Sequence, residues 1–262
     1  MDLTVNESDS DDRKRNISYL DFLKDPSGYN MPMVAERLSH IINKINPEEI
    51  LTILDIGSMD AWESINLAKM FNEATVYAFE PVKANFEICE HNVEQQTEKI
   101  QSRIHLQRIA LNDQTGPMTF WELDDVAAAK RGNLNRGIGS KYQLMNPDMQ
   151  PWEYNAQRLV TVVGYRLVDW CRENNIDCID AIWMNVCGSE LDVLRGADTI
   201  LDNIQFIITK AGLKPYYYGH NMKTDIDQYL KKHGFIEWVP ARRIIYKYDA
   251  DVIYLNTRYA NL

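Results

Sequence analysis

Zinc-site and disulfide patterns are missing from this sequence. Its four cysteines, Cys89, Cys171, Cys178 and Cys187, include no pair in the C-x-x-C spacing. That spacing is typical of zinc knuckles and of many small metal or redox sites. We therefore predict neither a zinc knuckle nor a disulfide framework, and we interpret the first three cysteines as small packing residues of a core.

Positive charge is also scarce. The chain has 28 Lys and Arg against 38 Asp and Glu, which gives a formal net charge of −10 and a pI near 5.0. Proteins that bind nucleic acids generally, or that lie on anionic membranes, need a positive field. Neither kind of partner is expected.

Long apolar runs are absent. No run approaches the roughly 18 residues of a membrane-spanning helix. Acids occupy the N-terminus, where a signal peptide needs a basic start and an apolar stretch. These absences predict a cytoplasmic protein without a membrane span. The oligomeric state is left open.

The best candidate for a ligand-binding loop contains a single glycine. In Ile53-Leu54-Asp55-Ile56-Gly57-Ser58-Met59-Asp60 an apolar run ends at an acid, a glycine and a small polar residue. A dinucleotide or a triphosphate needs several glycines in a fixed array, because backbone N–H groups must pack around phosphate. S-adenosylmethionine has no phosphates, so one close backbone approach plus carboxylates is enough for it.

A second apolar run, Val76-Tyr77-Ala78-Phe79, ends at Glu80. Two such strand ends with one helix between them describe half of a nucleotide-binding α/β sheet. Glu80 is suited to accept both ribose hydroxyls, and Asp55 to bind the ammonium end of the cofactor. Alternatively each acid caps the helix that follows it, since acids favour helix N-termini. The occurrence of two such acids at strand ends favours ligand binding over helix capping.

The chain is long enough for one α/β domain and no more. Residues 1–16 are acidic and lack periodicity, which predicts a disordered arm. Apolar residues then recur at helical spacing and predict an N-terminal helical brace over 17–48. A single domain, including this brace, is predicted over 17–262.

Strands and helices alternate after the brace. This alternation predicts an α/β fold with a doubly wound, mostly parallel sheet and an antiparallel C-terminal edge hairpin. Strands are predicted at about 51–56, 75–79, 104–111, 118–123, 179–186, 204–209, 235–239, 244–248 and 251–255; helices are predicted at about 62–71, 83–95, 189–201 and 222–233, with another that ends at 170–174. The glycines within 131–140 predict a mobile loop, which either closes over the acceptor or only links two strands.

Four stretches together resemble the FkbM-type S-adenosylmethionine-dependent methyltransferases. They are Asp55-Ile56-Gly57-Ser58-Met59-Asp60-Ala61, Tyr77-Ala78-Phe79-Glu80-Pro81, Ala110-Leu111-Asn112-Asp113 and Gly188-Ser189-Glu190-Leu191-Asp192-Val193-Leu194-Arg195-Gly196-Ala197. Their order and spacing cover roughly residues 50–240. The resemblance implies a class I (Rossmann-like) methyltransferase fold and methylation of a hydroxyl on a sugar, a glycan or a natural product. It implies cofactor contacts from Asp55, Gly57, Ser58, Glu80, Pro81 and Leu111.

Three residues depart from the pattern of that family near the expected transfer centre. The family usually has Asp at the position of Asn185, Glu or Gln at Cys187, and Glu at Lys210. An amide cannot take the proton of a sugar hydroxyl, which is a poor nucleophile while it keeps that proton. Asn185 is therefore expected to orient the acceptor in the catalytic centre. Lys210 either binds an anionic group of the acceptor or marks a lost activity.

His220 is the candidate catalytic base, because neutral imidazole has a suitable pKa range; the alternative for a lone histidine is packing. Arg136, in the glycine-rich loop, and Tyr217, in a tyrosine cluster, are candidates for acceptor binding. The leading hypothesis is an O-methyltransferase. One alternative is a degenerate methyltransferase fold that binds cofactor or a partner protein without turnover. A nicotinamide-dependent oxidoreductase is disfavoured, since the G-x-G-x-x-G array is absent.

Overall fold

A computed structural model describes residues 47–124, 136–145, 157–238, 244–245 and 248–259. The strands are β1 (Thr52–Ile56), β2 (Thr75–Phe79), β3 (Ile104–Gln107), β4 (Ala110–Asn112), β5 (Gly116–Leu123), β6 (Gln157–Arg166), β7 (Ile179–Met184), β8 (Ile204–Gly212), β9 (Phe235–Trp238), β10 (Ile244–Ile245) and β11 (Asp249–Asn256). The helices are α1 (Trp62–Met70), α2 (Lys83–Glu94), α3 (Glu98–Gln101), α4 (Leu167–Glu173), α5 (Glu190–Ala197) and α6 (Lys223–Lys232). The predicted acidic arm and nearly all of the helical brace lie outside the described residues.

The main sheet has eight strands in the order β10-β11-β8-β7-β1-β2-β3, with β9 also paired to β11. The five strands from β8 to β3 are parallel, and β11 joins β8 in the antiparallel sense. The predicted mostly parallel sheet with an antiparallel edge is confirmed. The chain order reverses direction beside β1, and ligands of such sheets bind at the carboxyl ends of the strands at this switch point.

Both faces of the main sheet are covered by apolar residues. On β1, Ile53 belongs to one buried cluster, whereas Leu54 and Ile56 belong to the cluster on the opposite face. A strand that is buried on both faces has a continuous apolar sequence, as β1 does. The strand ends are therefore held by packing on two sides, and the loops that follow them start from fixed positions.

A second sheet of three strands, in the order β4-β6-β5, was not predicted. The predicted strand over 104–111 is wrong in its second half: the chain leaves the main sheet after Gln107, and Ala110 pairs instead with Gly164 of β6. The run of β-branched residues over 160–163 favours a strand in sequence. Its partners, however, are set by tertiary pairing.

Helix α5 joins the second sheet to the main one through a close backbone contact. A Cβ atom placed on Gly196 would lie 2.0 Å from the carbonyl oxygen of Asn112 in β4. Only a residue without a side chain allows the helix to lie this near the strand.

Among the helices of the described residues, none has both the length and the apolar composition of a membrane span.

We expect Gly196→Ala to lower the free energy of unfolding. Overpacking of this kind costs about 1–3 kcal/mol or more, which exceeds the gain of about 1 kcal/mol that alanine has over glycine in helix propensity. Urea denaturation measures the difference. The half-exposed neighbour Arg195, changed to alanine, is the control and should alter stability by about 0.5 kcal/mol at most. Equal stability of Gly196→Ala and the wild type would contradict the close contact.

Candidate functional site

A cleft with about 620 Å³ of empty space, part of it open to solvent, lies at the carboxyl ends of β1, β2 and β7, and we call it the strand-end cavity. The residues that line it include Ile56, Gly57, Met59, Phe79, Glu80, Pro81, Val82, Asn85, Ile109, Leu111, Met118, Phe120, Gly137, Gly139, Lys141, Asn185, Cys187 and Ser189. Among the predicted cofactor residues, Gly57, Glu80, Pro81 and Leu111 are brought together here.

Gly57 forms the floor of the strand-end cavity, where β1 and β7 end side by side. Its φ is +87°, and a Cβ atom would lie 2.2 Å from the carbonyl oxygen of Asn185. The N–H groups of Gly57 and Ser58 both donate to the carbonyl of Phe79 at the end of β2, at 2.9 and 3.1 Å. Any other residue would separate these strand ends, so the backbone conformation requires glycine.

Glu80 presents a buried carboxylate to the strand-end cavity. Its Oε2 accepts a hydrogen bond from the N–H of Met59 at 3.0 Å, and its Oε1 accepts one from the N–H of Val82 at 2.8 Å. Burial raises the pKa of Glu80 to about 7. The amide of Asn85 also donates to Oε1, at 3.5 Å. A carboxylate has about four lone-pair positions, so one, on Oε2, remains for a hydroxyl of a ligand.

Asp55 and Ser58 do not line this cavity, and their contact with the cofactor stays a prediction. The Asp55 carboxylate is 1% exposed and accepts a hydrogen bond from the hydroxyl of Ser64 in α1. The hydroxyl of Ser58 donates to the Asp55 carbonyl at 3.0 Å. Burial raises the pKa of Asp55 to about 8, so the acid is held between the sheet and α1 largely without charge. Its contacts are those of a packing residue.

Ser189 is a cavity residue that the sequence analysis did not select. Its side chain is buried at the first turn of α5, lines the strand-end cavity, and has no hydrogen-bond partner among the described residues. A buried hydroxyl without a partner costs about 1–3 kcal/mol. A polar group of a bound ligand would satisfy it. The sequence signal was weak, because serine before a helix usually means a cap.

Part of the predicted mobile loop is fastened across the cavity. The Ser140 hydroxyl donates to the carbonyl of Cys187 at 2.7 Å, and Lys141 lies 3.2 Å from a carboxylate oxygen of Asp192 in α5. Residues 131–135 lie outside the described ranges. For Arg136, the backbone begins a 3₁₀ turn, Arg136–Ile138, but its side chain also lies outside what is described. Acceptor binding by Arg136 therefore stays a prediction.

The strand-end cavity fits S-adenosylmethionine. The Glu80 carboxylate suits a ribose hydroxyl, and apolar side chains of Val82, Leu111 and Phe120 suit the adenine ring. The unpaired hydroxyl of Ser189 offers a polar contact near Asn185. Within the described part of the chain, no group of three or more His, Cys, Asp or Glu side chains is arranged to hold a metal ion.

A second cavity, with about 930 Å³ of empty space that is partly open to solvent, adjoins the first. We call it the tyrosine cavity, because Tyr216, Tyr217 and Tyr248 line it together with Ile138, Gly188, Glu190, Lys210, Gly212, Lys214, His220 and Asp249. Gly137, Asn185 and Cys187 line both cavities. The structure therefore brings four predicted catalytic and acceptor residues, Asn185, Lys210, Tyr217 and His220, to one wall.

The charge of Lys210 is compensated within the protein. Its ammonium nitrogen lies 3.5 Å from a carboxylate oxygen of Asp249 and 3.5 Å from one of Asp251. An anionic group of an acceptor would meet both carboxylates as well as the ammonium group. This geometry argues against Lys210 as a dedicated anion site, which was one of its two interpretations.

The contacts of His220 favour packing, which was the alternative to its predicted role as a base. Its Nε2 atom accepts a hydrogen bond from the backbone N–H of Tyr216 at 3.1 Å, which occupies the lone pair of the neutral ring. Burial also lowers its pKa. The ring packs closely on Gly188, where a Cβ atom would lie 2.7 Å from the Cβ of His220. His220 thus fixes the loop that carries the tyrosines.

Cys187 and Tyr217 form a hydrogen-bonded pair between the cavities. The thiol also donates to the carbonyl of Gly137, with a sulfur–oxygen distance of 3.0 Å. Burial raises the pKa of Cys187 to about 12 and raises that of Tyr217 well above its ordinary value. Both groups keep their protons near neutral pH, so neither is a base there.

We expect the stability of the wild type, relative to Asp55→Asn, to fall as the pH rises from about 4 to about 8. In the unfolded chain Asp55 loses its proton near pH 3.9, whereas in the folded protein it keeps the proton up to about pH 8. The folded state therefore binds more protons across this window, and unfolding becomes easier as pH rises. Urea denaturation at several pH values measures the difference.

Asp177→Asn, at an exposed acid, is the matched control and should give a small difference from the wild type at every pH. A difference between the wild type and Asp55→Asn that stays constant from pH 5 to pH 8 would contradict the buried, protonated state of Asp55.

Comparisons with known proteins agree with this geometry. The methyltransferase FkbM domain model matches residues 55–237. The 2-O-methyltransferase NoeI of Sinorhizobium fredii is 25% identical over 232 residues, which are 86% of this chain and 86% of that protein.

Two solved methyltransferase structures are similar to this chain at low identity. The magnesium protoporphyrin IX methyltransferase ChlM of Synechocystis PCC 6803, with bound S-adenosylmethionine, is 11% identical and has a TM-score of 0.46; the match covers 98% of this chain and 100% of that one. TrmK of M. capricolum, in complex with S-adenosylhomocysteine, is 14% identical with a TM-score of 0.44, over 84% of this chain and 68% of that one.

The family match covers both strand ends, the glycine floor, the second sheet and α5. These elements build the strand-end cavity, whose carboxylate, apolar walls and unpaired hydroxyl suit the cofactor. The chain therefore belongs to the FkbM methyltransferase family and is a methyltransferase that uses S-adenosylmethionine.

Proposed function

We propose that the protein methylates a hydroxyl oxygen of a sugar, a glycan or a small natural product, bound in the tyrosine cavity. The observation that carries this proposal is the junction of the two cavities at Asn185 and Cys187. A cofactor in the strand-end cavity and an acceptor in the tyrosine cavity would face each other there. S-adenosylmethionine supplies an electrophilic methyl group.

The lining of the tyrosine cavity supports a neutral, hydroxyl-rich acceptor. The ring centroids of Tyr216 and Tyr217, and those of Tyr216 and Tyr248, are 5.2 Å apart. Tyrosine offers an apolar ring beside a polar hydroxyl, which suits the faces and edges of a sugar. Since Lys210 is paired with Asp249 and Asp251, the cavity offers no strong preference for an anion. The name of the relative, a 2-O-methyltransferase, also supports oxygen as the acceptor atom.

The chain's own residues contribute mainly binding and alignment. Glu80 and Ser189 would hold the cofactor from two sides of its cavity, and the Asn185 side chain would orient the acceptor at the junction. Alignment of this kind is a large part of catalysis, and a misplacement of about 1 Å can cost about 10²-fold in rate.

We expect Glu80→Ala to weaken the binding of S-adenosylhomocysteine by about 1.5–3 kcal/mol, the range for hydrogen bonds to a charged group. Glu80→Gln keeps the size of the side chain and should lose less. Glu87→Ala, on the exposed face of α2, is the control and should bind like the wild type. Isothermal titration calorimetry measures all four proteins. Unchanged affinity in a folded Glu80→Ala variant would contradict the ribose contact.

The activity is tested with radiolabelled S-adenosylmethionine and a panel of acceptors: methyl glycosides of hexoses, deoxyhexoses and aminosugars, and phenolic natural products. We expect the wild type to methylate at least one of them, with the new methyl group on oxygen by mass spectrometry and NMR. Asn185→Ala should lower kcat/KM by about 10²-fold, because the acceptor loses its alignment. Glu87→Ala again serves as the control.

The calorimetry and the acceptor panel together also define the result that would contradict the proposed function. Normal binding of S-adenosylhomocysteine with no methylated product from any acceptor would contradict the proposed function. It would support a degenerate fold that binds cofactor without turnover.

A further inference from the structure

A hydroxyl acceptor needs a group that takes its proton, and most titratable side chains of the tyrosine cavity are unsuited to this. Cys187 and Tyr217 keep their own protons at neutral pH. The basic nitrogen of His220 is occupied by the N–H of Tyr216. Asp249 lies beside the ammonium group of Lys210. One carboxylate of the cavity wall, that of Glu190, remains.

Glu190 is the first residue of α5 and directly follows the loop that joins the two cavities. Its side chain lines the tyrosine cavity and is otherwise buried, with 3% exposure. Its Oε1 atom accepts hydrogen bonds from the N–H groups of Val186 and Gly188, at 3.3 and 3.2 Å. The carboxylate is thus fixed close to Cys187, a residue that lines both cavities.

The hydrogen bonds leave room for one more donor. The carboxylate accepts hydrogen bonds from the backbone N–H groups of Val186, Gly188 and Glu190 itself. A carboxylate has about four lone-pair positions. The remaining position can accept the hydroxyl of an acceptor. The backbone donors also hold the carboxylate in one orientation, which a proton acceptor needs.

We propose that Glu190 is the general base of this methyltransferase, an inference that rests on the proposed function. The acceptor hydroxyl gives its proton to the Glu190 carboxylate as its oxygen forms a bond to the methyl carbon. The bond between that carbon and the cofactor sulfur breaks, and its electron pair stays on the sulfur. Charge balances, since one cation and one carboxylate become two neutral groups.

The charges around Glu190 suit this role. The pKa of Glu190 is raised to about 7, mainly by burial and to a smaller extent by Asp192 on the same helix. Cys187 and Tyr217 face it from the neighbouring loops and stay neutral. Lys210 of β8 and His220 line the same cavity. A base with a pKa near neutrality is ionised at working pH and still binds a proton well.

The first test reads the protonation of Glu190 without any turnover. Protein labelled with ¹³C in the glutamate carboxyl groups is titrated by NMR from pH 4 to pH 9, with and without S-adenosylhomocysteine. We expect two carboxyl signals to titrate near pH 7, one absent in Glu80→Gln and the other absent in Glu190→Gln. If Glu190→Gln removes only a signal that titrates near pH 4, the proposal is overturned.

The second test separates a base from a group that only holds the loop. Glu190→Gln keeps an oxygen that accepts hydrogen bonds from Val186 and Gly188 but cannot take a proton. We expect Glu190→Gln to lower kcat by about 10²–10⁴-fold. The substrate for this measurement is the methyl glycoside that the wild type methylates best. The rise of kcat with pH through about 7 should also disappear, while the affinity for S-adenosylhomocysteine stays unchanged. Glu190→Asp keeps a carboxylate and should retain part of the rate and the pH dependence.

The outcomes are distinct from those of the proposed function. If the wild type methylates a glycoside and Glu190→Gln does so within a few-fold, the proposal for Glu190 is overturned and the proposed function stands. If the wild type methylates no acceptor, both are overturned. If Glu190→Gln fails to bind S-adenosylhomocysteine, Glu190 has a structural role in the cofactor site and is not the base.

Discussion

The close approach of two backbones, at Gly57 after β1 and at Asn185 after β7, is the contact on which the site depends. There is no room for a Cβ atom between them, since it would lie 2.2 Å from the Asn185 carbonyl oxygen. The same loop takes the carbonyl of Phe79 as the acceptor for two N–H groups. Three strand ends are thus fixed together, and the cofactor cavity and the start of the acceptor cavity are fixed with them.

Three buried carboxylates surround this contact, and their surroundings give them different roles. Burial raises the pKa of Asp55, Glu80 and Glu190 above ordinary values, because the charged form loses its hydration. Asp55 faces α1 and contributes to packing. Glu80 faces the strand-end cavity, and Glu190 faces the tyrosine cavity. The direction in which each side chain points, and not its chemistry, distinguishes them.

Local patterns in the sequence were sufficient for the parallel sheet and its C-terminal edge. An apolar run that is buried on both faces predicts a strand without knowledge of its neighbours. The second sheet could not be predicted in this way. Strand β4 is three residues long, and β6 exposes part of its surface, so neither has a clear period. Their pairing depends on α5, which reaches β4 closely at Gly196.

For the strand-end cavity, the sequence by itself indicated Gly57 and Glu80, a glycine and an acid at adjacent strand ends, and both residues line it. Only the tertiary structure decided the roles of the remaining polar residues. Asp55 turns towards Ser64, and the nitrogen of His220 is taken by a backbone N–H. Ser189 keeps a hydroxyl without a partner in the described structure. A hydrogen bond between residues distant in sequence leaves no local pattern, so it is visible only once the chain has folded.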